Sequence, residues 1–267
     1  MITKYLALLL ALALPAATAV GQARETVRPD INASLPAVVP VAASASGNRS
    51  LPKQLALTNT LEDQAPGIDP TVLSLALSAV SCAQGSGVAN DARHLAVIDY
   101  SRSSLKPRLW VFDLVSRKLL YREVVAHGQG SGGDKPTHFS NADGSHASSL
   151  GLFVTGNTYV GHNGLSLRMD GLEPGVNDAA MARAIVMHGA DYVNPQINRS
   201  MGRLGRSWGC PALREAVAKP IIDVMKNGQF VFSYYPDQAW LAHSALLKCK
   251  AARLQLAAAD IHPGDKA

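Results

Sequence analysis

Hydrophobic and polar positions change rhythm several times along this chain, and each change marks an element. From Arg24 to Gln64, Ala, Ser, Pro and Asn dominate and apolar residues keep no period. Residues 24–66 are therefore expected to form a flexible linker. Asp69-Pro70 then supplies a capping side chain and a proline suited to the first helical position. Val72, Leu73, Leu75, Ala76, Leu77 and Val80 follow, which predicts a helix apolar almost all round and hence buried. Past His94 the pattern becomes short β-type runs at 95–100, 109–114 and 119–125. Their spacing and intervening turns predict an antiparallel meander.

Residues 127–148 are polar and carry Gly128, Gly130, Gly132, Gly133 and Gly144. A loop of that length in a compact domain is usually functional or mobile. Two further strands are expected at 151–155 and 165–169, and a short helix near 177–184. An apolar strand at 184–187 then delivers His188-Gly189. A helix at 214–226, a strand at 229–235 and a terminal helix at 237–259 complete the reading. The fold class is mainly β with flanking helices (α+β), in one domain spanning 67–260.

The first 23 residues differ from all of this. Lys4 precedes an apolar run from Tyr5 through Leu14, and small residues follow at Ala17-Thr18-Ala19 and Gly21-Gln22-Ala23. This is the pattern of a secretory signal peptide, and the run falls short of the roughly 20 apolar residues a membrane span needs. Residues 1–23 thus direct the protein to the periplasm, where it is expected as a monomer, peripheral to the membrane only. At 267 residues the chain suffices for one well-cored domain with extensions. The net charge of +5 is scattered, with no basic stripe interleaved with aromatics. That speaks against nucleic acid as a partner and for mild attraction to a polyanion.

Three cysteines are an odd number for an exported protein. Cys82 ends the predicted apolar helix, Cys249 falls in the last one, and Cys210 sits between glycine and proline. The simplest partition is a Cys82–Cys249 disulfide and a free Cys210. The alternative leaves Cys82 and Cys249 as buried thiols.

Cysteine chemistry needs a thiolate, a base, a group to orient that base, and donors for an oxyanion. The run Gly205-Arg206-Ser207-Trp208-Gly209-Cys210-Pro211 offers the first and last of these. Gly209 permits close backbone approach, and a helix starting near Arg214 is expected to lower the thiol pKa. His188, at the end of a buried strand and followed by Gly189, is the candidate base. A histidine in an apolar strand is more often a core residue, so context must decide. His127-Gly128 repeats the same dipeptide beside a glycine-rich run, and His127 is a candidate for lining the site. His138, His146 and His162 match no zinc spacing, so no metal and no cofactor are expected. Tyr159, Asn163 and Trp208 are candidate walls of a peptide groove.

The context comes from resemblance. His188-Gly189 followed by Ser207-Trp208-Gly209-Cys210 resembles the motifs of the YkuD-like L,D-transpeptidases. Trp208 and Pro211-Ala212-Leu213 are similar to the divergent murein L,D-transpeptidase branch, the second YkuD family. Phe139-Ser140-Asn141, Ser148-Ser149-Leu150-Gly151, Ser166-Leu167-Arg168 and the run from Gly202 to Ser207 resemble that branch too. The resemblance implies a β-sandwich or barrel with N- and C-terminal helices. It implies that Cys210 attacks a peptidoglycan stem peptide, that His188 activates it, and that the Gly189 carbonyl orients the imidazole. It further implies that Ser207 braces the loop and that Gly209 and Cys210 amides form the oxyanion hole. Many relatives carry an arginine soon after the cysteine, whereas this chain has Ala212; Arg206 and Arg168 are the candidates for binding a substrate carboxylate. Cross-linking through a thioester is the expected activity. Hydrolysis of the same acyl-enzyme, an L,D-carboxypeptidase, is one alternative, and a non-catalytic cell-envelope binding module is another.

Overall fold

The computed structural model of the chain describes residues 50–249. The expected signal peptide, the start of the expected linker and the end of the expected terminal helix lie outside them. Within the linker stretch the outcome differs from expectation: residues Ser50–Gln64 form helix α1. Leu61 is fully buried, as is Ala65 just beyond the helix. Apolar residues this sparse escape a search for period, yet one or two that meet a partner suffice to hold an amphipathic turn.

Helix α2 spans Pro70–Gly85, capped by Asp69, whose carboxylate accepts the Thr71 N–H at 2.8 Å. Eleven of its residues are buried, as its all-round apolar composition requires. It packs on β1 (His94–Asp99) and on two later strands, β4 (Gly151–Gly161) and β8 (Phe230–Tyr234). Strands β1, β2 (Leu109–Asp113) and β3 (Lys118–Glu123) form the expected antiparallel meander. The polar stretch after it is indeed a long loop, interrupted by one 3-10 turn at Gln129–Ser131.

Strands β4 (Gly151–Gly161) and β5 (Gly164–Gly171) are a long antiparallel hairpin. The short helix expected at 177–184 is instead a series of turns. Asn177 breaks it, because its side chain bonds the backbone of Glu173, Leu150 and Leu152 rather than pointing outward. Strand β6 (Val186–Ala190) carries His188 in its middle rather than at its end. Strand β7 (Ala212–Arg214), helix α3 (Glu215–Met225) and strand β8 (Phe230–Tyr234) follow. The expected terminal helix is divided into α4 (Gln238–His243) and α5 (Ala245–Lys248). Ser244 is non-helical and its hydroxyl caps α5, a preference that competes with helix continuation.

The eight strands form one sheet in the order β3-β2-β1-β8-β4-β5-β6-β7. β8 inserts between β1, to which it is parallel, and β4, to which it is antiparallel. The sheet curls until its edges nearly meet. Ala126, just past β3, bridges Ala212 of β7, and Gly128 bridges Ser207. Arg214 of β7 and Glu123 of β3 form a two-pronged ion pair across the same seam. Helix α3 touches both β6 and β1, strands separated by three others, so it lies in the concavity and fills it with Ile221, Ile222 and Met225. Cys82 and Cys249 are disulfide-bonded, with Cα atoms 6.2 Å apart, tying the end of α2 to the segment after α5.

Candidate active site

The seam that closes the barrel also builds the site. Strand β6 pairs in parallel with β7, His188 beside Ala212. Extending that register back two residues sets Cys210 beside Val186, and the Val186 N–H donates to the Cys210 sulfur at 3.4 Å. Residues two apart on a strand share a face, about 7 Å apart along it. His188 and Cys210 therefore present their side chains on one face, and both line a cleft of about 390 Å³. Arg206, Ser207 and Trp208 contribute to it from the cysteine loop, His162 and Asn163 from the β4–β5 turn, and Tyr192 from beyond β6.

His188 is only 2% exposed. Its Nδ1 lies 2.8 Å from its neighbour's carbonyl, Gly189 O. A carbonyl only accepts, so Nδ1 carries the proton and Nε2 is left as the basic nitrogen. Burial lowers the His188 pKa, opposed by the Gly189 carbonyl. Gly189 is needed for space as well: a Cβ there would stand 2.9 Å from Ala218 Cβ on α3.

Among the described residues Cys210 is the free cysteine, 8% exposed. Burial pushes its thiol pKa up; the Val186 N–H, the Arg183 charge and its own amide pull the other way. The expected lowering by α3 does not prevail. That helix begins at Glu215, whose carboxylate occupies the first turn, and desolvation outweighs a helix terminus. Thiol and imidazole are thus both shifted toward their neutral forms. The thiol itself points at Ala184 O, 3.7 Å away.

The cysteine loop is held from inside. Ser207 Oγ donates to Cys210 O at 2.6 Å and accepts the Gly209 N–H at 3.1 Å. The Gly209 amide is therefore engaged, which corrects its expected part in an oxyanion hole; the amide of Cys210 remains the candidate from that pair. Gly209 has φ +118°, and a Cβ on it would meet Ala147 O and Ile185 Cδ1 at 2.8 Å, so only glycine fits. Ser148 Oγ donates to Gly209 O at 2.9 Å and accepts the Gly128 N–H at 3.0 Å. A Cβ on Gly128 would come within 2.7 Å of Gly209 Cα. The glycine-rich loop and the cysteine loop are thus packed backbone on backbone.

The remaining candidates fall in different places. Trp208 is 71% exposed and stacked on His146, ring centroids 4.8 Å apart at 8°. Arg206 lines the cleft but donates to Gly132 O at 2.6 Å and Gln129 O at 3.3 Å. Arg168 and Tyr159 do not line the cleft; the guanidinium lies 4.5 Å over the tyrosine ring. Through the pairings of Tyr159 with Ser166 and Ser166 with His188 they sit farther along the same sheet face.

His127 does not line the cleft either. It is 1% exposed and its Nδ1 accepts from Arg108 Nη2 at 2.7 Å. Because Ala126 and His188 both pair with Ala212, His127 falls on the opposite face. Arg108 is fully buried, donates to Val125 O and Arg102 O, and lies over the Tyr100 ring. Burial first, and the Arg108 charge next, bring the His127 pKa down to about 3. Its backbone carbonyl accepts the Ser207 N–H at 3.0 Å, so this residue touches the site through the main chain alone.

Arg183 was not foreseen. Its Nη1 donates to Ser140 O and Ser149 Oγ, and its Nη2 to Ser145 Oγ and Ala147 O, at 2.7–3.0 Å. It falls in the stretch where only a short helix was expected, and a lone arginine there carries no sequence signal of its own.

Comparison with known proteins decides the family. The family model described as the L,D-transpeptidase catalytic domain matches residues 64–234. The chain belongs to that family. Among solved structures, an L,D-transpeptidase from Mycobacterium smegmatis is similar at 14% identity and a TM-score of 0.33, covering 54% of this chain and 59% of its own. One from Stackebrandtia nassauensis gives 13% identity and 0.33, covering 68% and 90%. One from Mycobacterium tuberculosis H37Rv gives 13% and 0.32, covering 54% and 58%. This L,D-transpeptidase-family chain thus spans about three fifths of the length of the mycobacterial proteins. No curated protein sequence matches it.

Proposed function

We propose that the protein is an exported peptidoglycan L,D-transpeptidase that forms cross-links between stem peptides through a thioester on Cys210. The observation that carries this is the shared cleft, where a free thiol and a histidine of fixed tautomer meet inside an L,D-transpeptidase catalytic domain. The starting pair is neutral, so proton transfer accompanies attack. Nε2 of His188 takes the thiol proton as sulfur bonds to the donor carbonyl. The amide N–H of Cys210 faces the charge that develops on oxygen. Collapse expels the terminal D-amino acid, whose amine leaves with the proton held by His188. An acceptor amine then attacks the thioester, His188 removes its proton, and the thiol is restored. The Gly189 carbonyl stabilises the imidazolium in both halves, the place a carboxylate holds in other triads.

Export follows from the signal-like segment of residues 1–23. Hydrolysis of the same thioester, giving an L,D-carboxypeptidase, would use every residue named and differ in the acceptor alone. Incubation with tetrapeptide muropeptides tests the proposal: cross-linked dimers are expected from the wild type and none from Cys210→Ala. Tripeptide without dimers would assign hydrolysis. A Cys210→Ala variant with undiminished turnover would remove the thiol from the mechanism.

A further inference from the structure

We propose that Arg183 is a positioning residue, holding a fixed positive charge near Cys210 that favours the thiolate within a buried site. The inference rests on the Cys210 mechanism above and adds to it a residue outside the cleft.

The problem it answers is electrostatic. Cys210 is almost wholly buried, and an isolated buried anion is costly. The imidazole of His188 starts neutral and contributes charge only after it has taken the proton. The phenols around the thiol offer no cation. Tyr100 after β1 and Tyr192 after β6 are phenols whose pKa burial pushes up. Arg206 is a cation that lines the cleft, but it is held on the Gln129 and Gly132 carbonyls, and the charge that lowers the Cys210 pKa is that of Arg183. Val186 gives an N–H, which is a dipole rather than a charge.

Arg183 is placed to fill that need. Ala184, its neighbour in sequence, is the residue whose carbonyl faces the sulfur at 3.7 Å. The guanidinium and a Cys210 thiolate stabilise each other electrostatically. Both terminal nitrogens of Arg183 are saturated by four neutral acceptors, so the charge is oriented without being cancelled. Asp143, the acid that influences it, is exposed and makes no ion pair with it among the described residues. The same four bonds leave no terminal N–H to turn toward a substrate carboxylate. The clamped segment also supports the cysteine loop, since Ala147 O is the atom a Cβ on Gly209 would strike and Ser148 bonds Gly209 O. Charge and support therefore arrive through one side chain, and the test must separate them.

The pH dependence of iodoacetamide alkylation at Cys210, followed by mass spectrometry on the full chain with its disulfide intact, does so. R183Q is expected to move the alkylation midpoint up by about one unit, an approximately tenfold loss of thiolate at pH 7.5. R183K keeps the charge and is expected to stay near the wild-type midpoint. The S145A/S149A double variant loosens the clamp, keeps the charge and is expected to match wild type. A wild-type midpoint in R183Q, or an R183K midpoint shifted as far as that of R183Q, overturns the proposal. Should R183Q fail to fold, an R183K midpoint raised by about one unit with the charge retained overturns it equally. Acylation of the wild type by a tetrapeptide stem is recorded in parallel. Its absence beside an Arg183-dependent midpoint would defeat the transpeptidase reading and leave the electrostatic one standing.

Discussion

Replacing Ser207 by alanine asks how much of the cysteine loop rests on one hydroxyl. The side chain is buried and makes two hydrogen bonds, to Cys210 O and from Gly209 N–H. Ala removes both and leaves a buried carbonyl and a buried amide without these partners. A typical intramolecular hydrogen bond contributes about 1 kcal/mol net, and each buried orphan costs about 1–3 kcal/mol. The loss should therefore be about 2–4 kcal/mol, or roughly 5–15 °C in Tm for a domain of this size. Urea unfolding followed by tryptophan fluorescence measures it as a shift in midpoint at constant slope. Because the two bonds flank the nucleophile, turnover of muropeptides should fall further than stability predicts, even well below the melting range. A loss below about 0.5 kcal/mol with unchanged turnover would show that Ser207 does not brace the loop.

Three further outcomes are expected. His127 is held down to about 3 in the folded state against an ordinary 6.5, so the unfolded chain takes up its proton first. Stability from this group is complete above pH 6.5 and declines below it, by at most about 1.4 kcal/mol per pH unit; urea titrations of wild type and His127→Gln should converge by about 2 kcal/mol between pH 6.5 and 5, and parallel curves would refute this. For His188, whose pKa burial lowers, the acid limb of kcat/KM should lie below pH 6.5, and a limb at or above that value would contradict the assigned environment. Reducing the Cys82–Cys249 bond should cost about 2–5 kcal/mol while leaving the alkylation profile of Cys210 unchanged, because α2 and α5 contribute nothing to the cleft.

Local chemistry was legible in the sequence and nonlocal pairing was not. Asp69-Pro70 announces the start of α2, because a cap and a first-turn proline act within a few residues. The β1–β3 meander follows from runs separated by short turns. Nothing local indicates that β8 pairs with β1 in parallel, since 135 residues separate Leu95 from its partner Phe230 and no turn joins them. The turns at 177–184 leave no mark in the sequence, because Asn177 looks the same whether it faces solvent or anchors the backbone at Leu150 and Leu152. In the site, Cys210 and His188 stand out as residue types and share one cleft. His127-Gly128 and His188-Gly189 are identical dipeptides whose side chains part to opposite faces of the sheet, a difference set by the pairing at Ala212. The occupation of the Gly209 amide and the place of Arg183 depend on contacts across the loop, and these exist only in the folded chain.

The insertion of β8 into the middle of the sheet also governs when the sheet is completed. A chain emerging from its amino end can form the first hairpins early, yet until residues 230–234 arrive β1–β3 and β4–β7 have only the seam at Ala126–Ala212 and Gly128–Ser207 to join them. The sulfur at position 210 and the imidazole at position 188 both precede that joining strand in the chain. A polypeptide halted short of that strand would carry every residue of the site but lack the strand that joins β1 to β4.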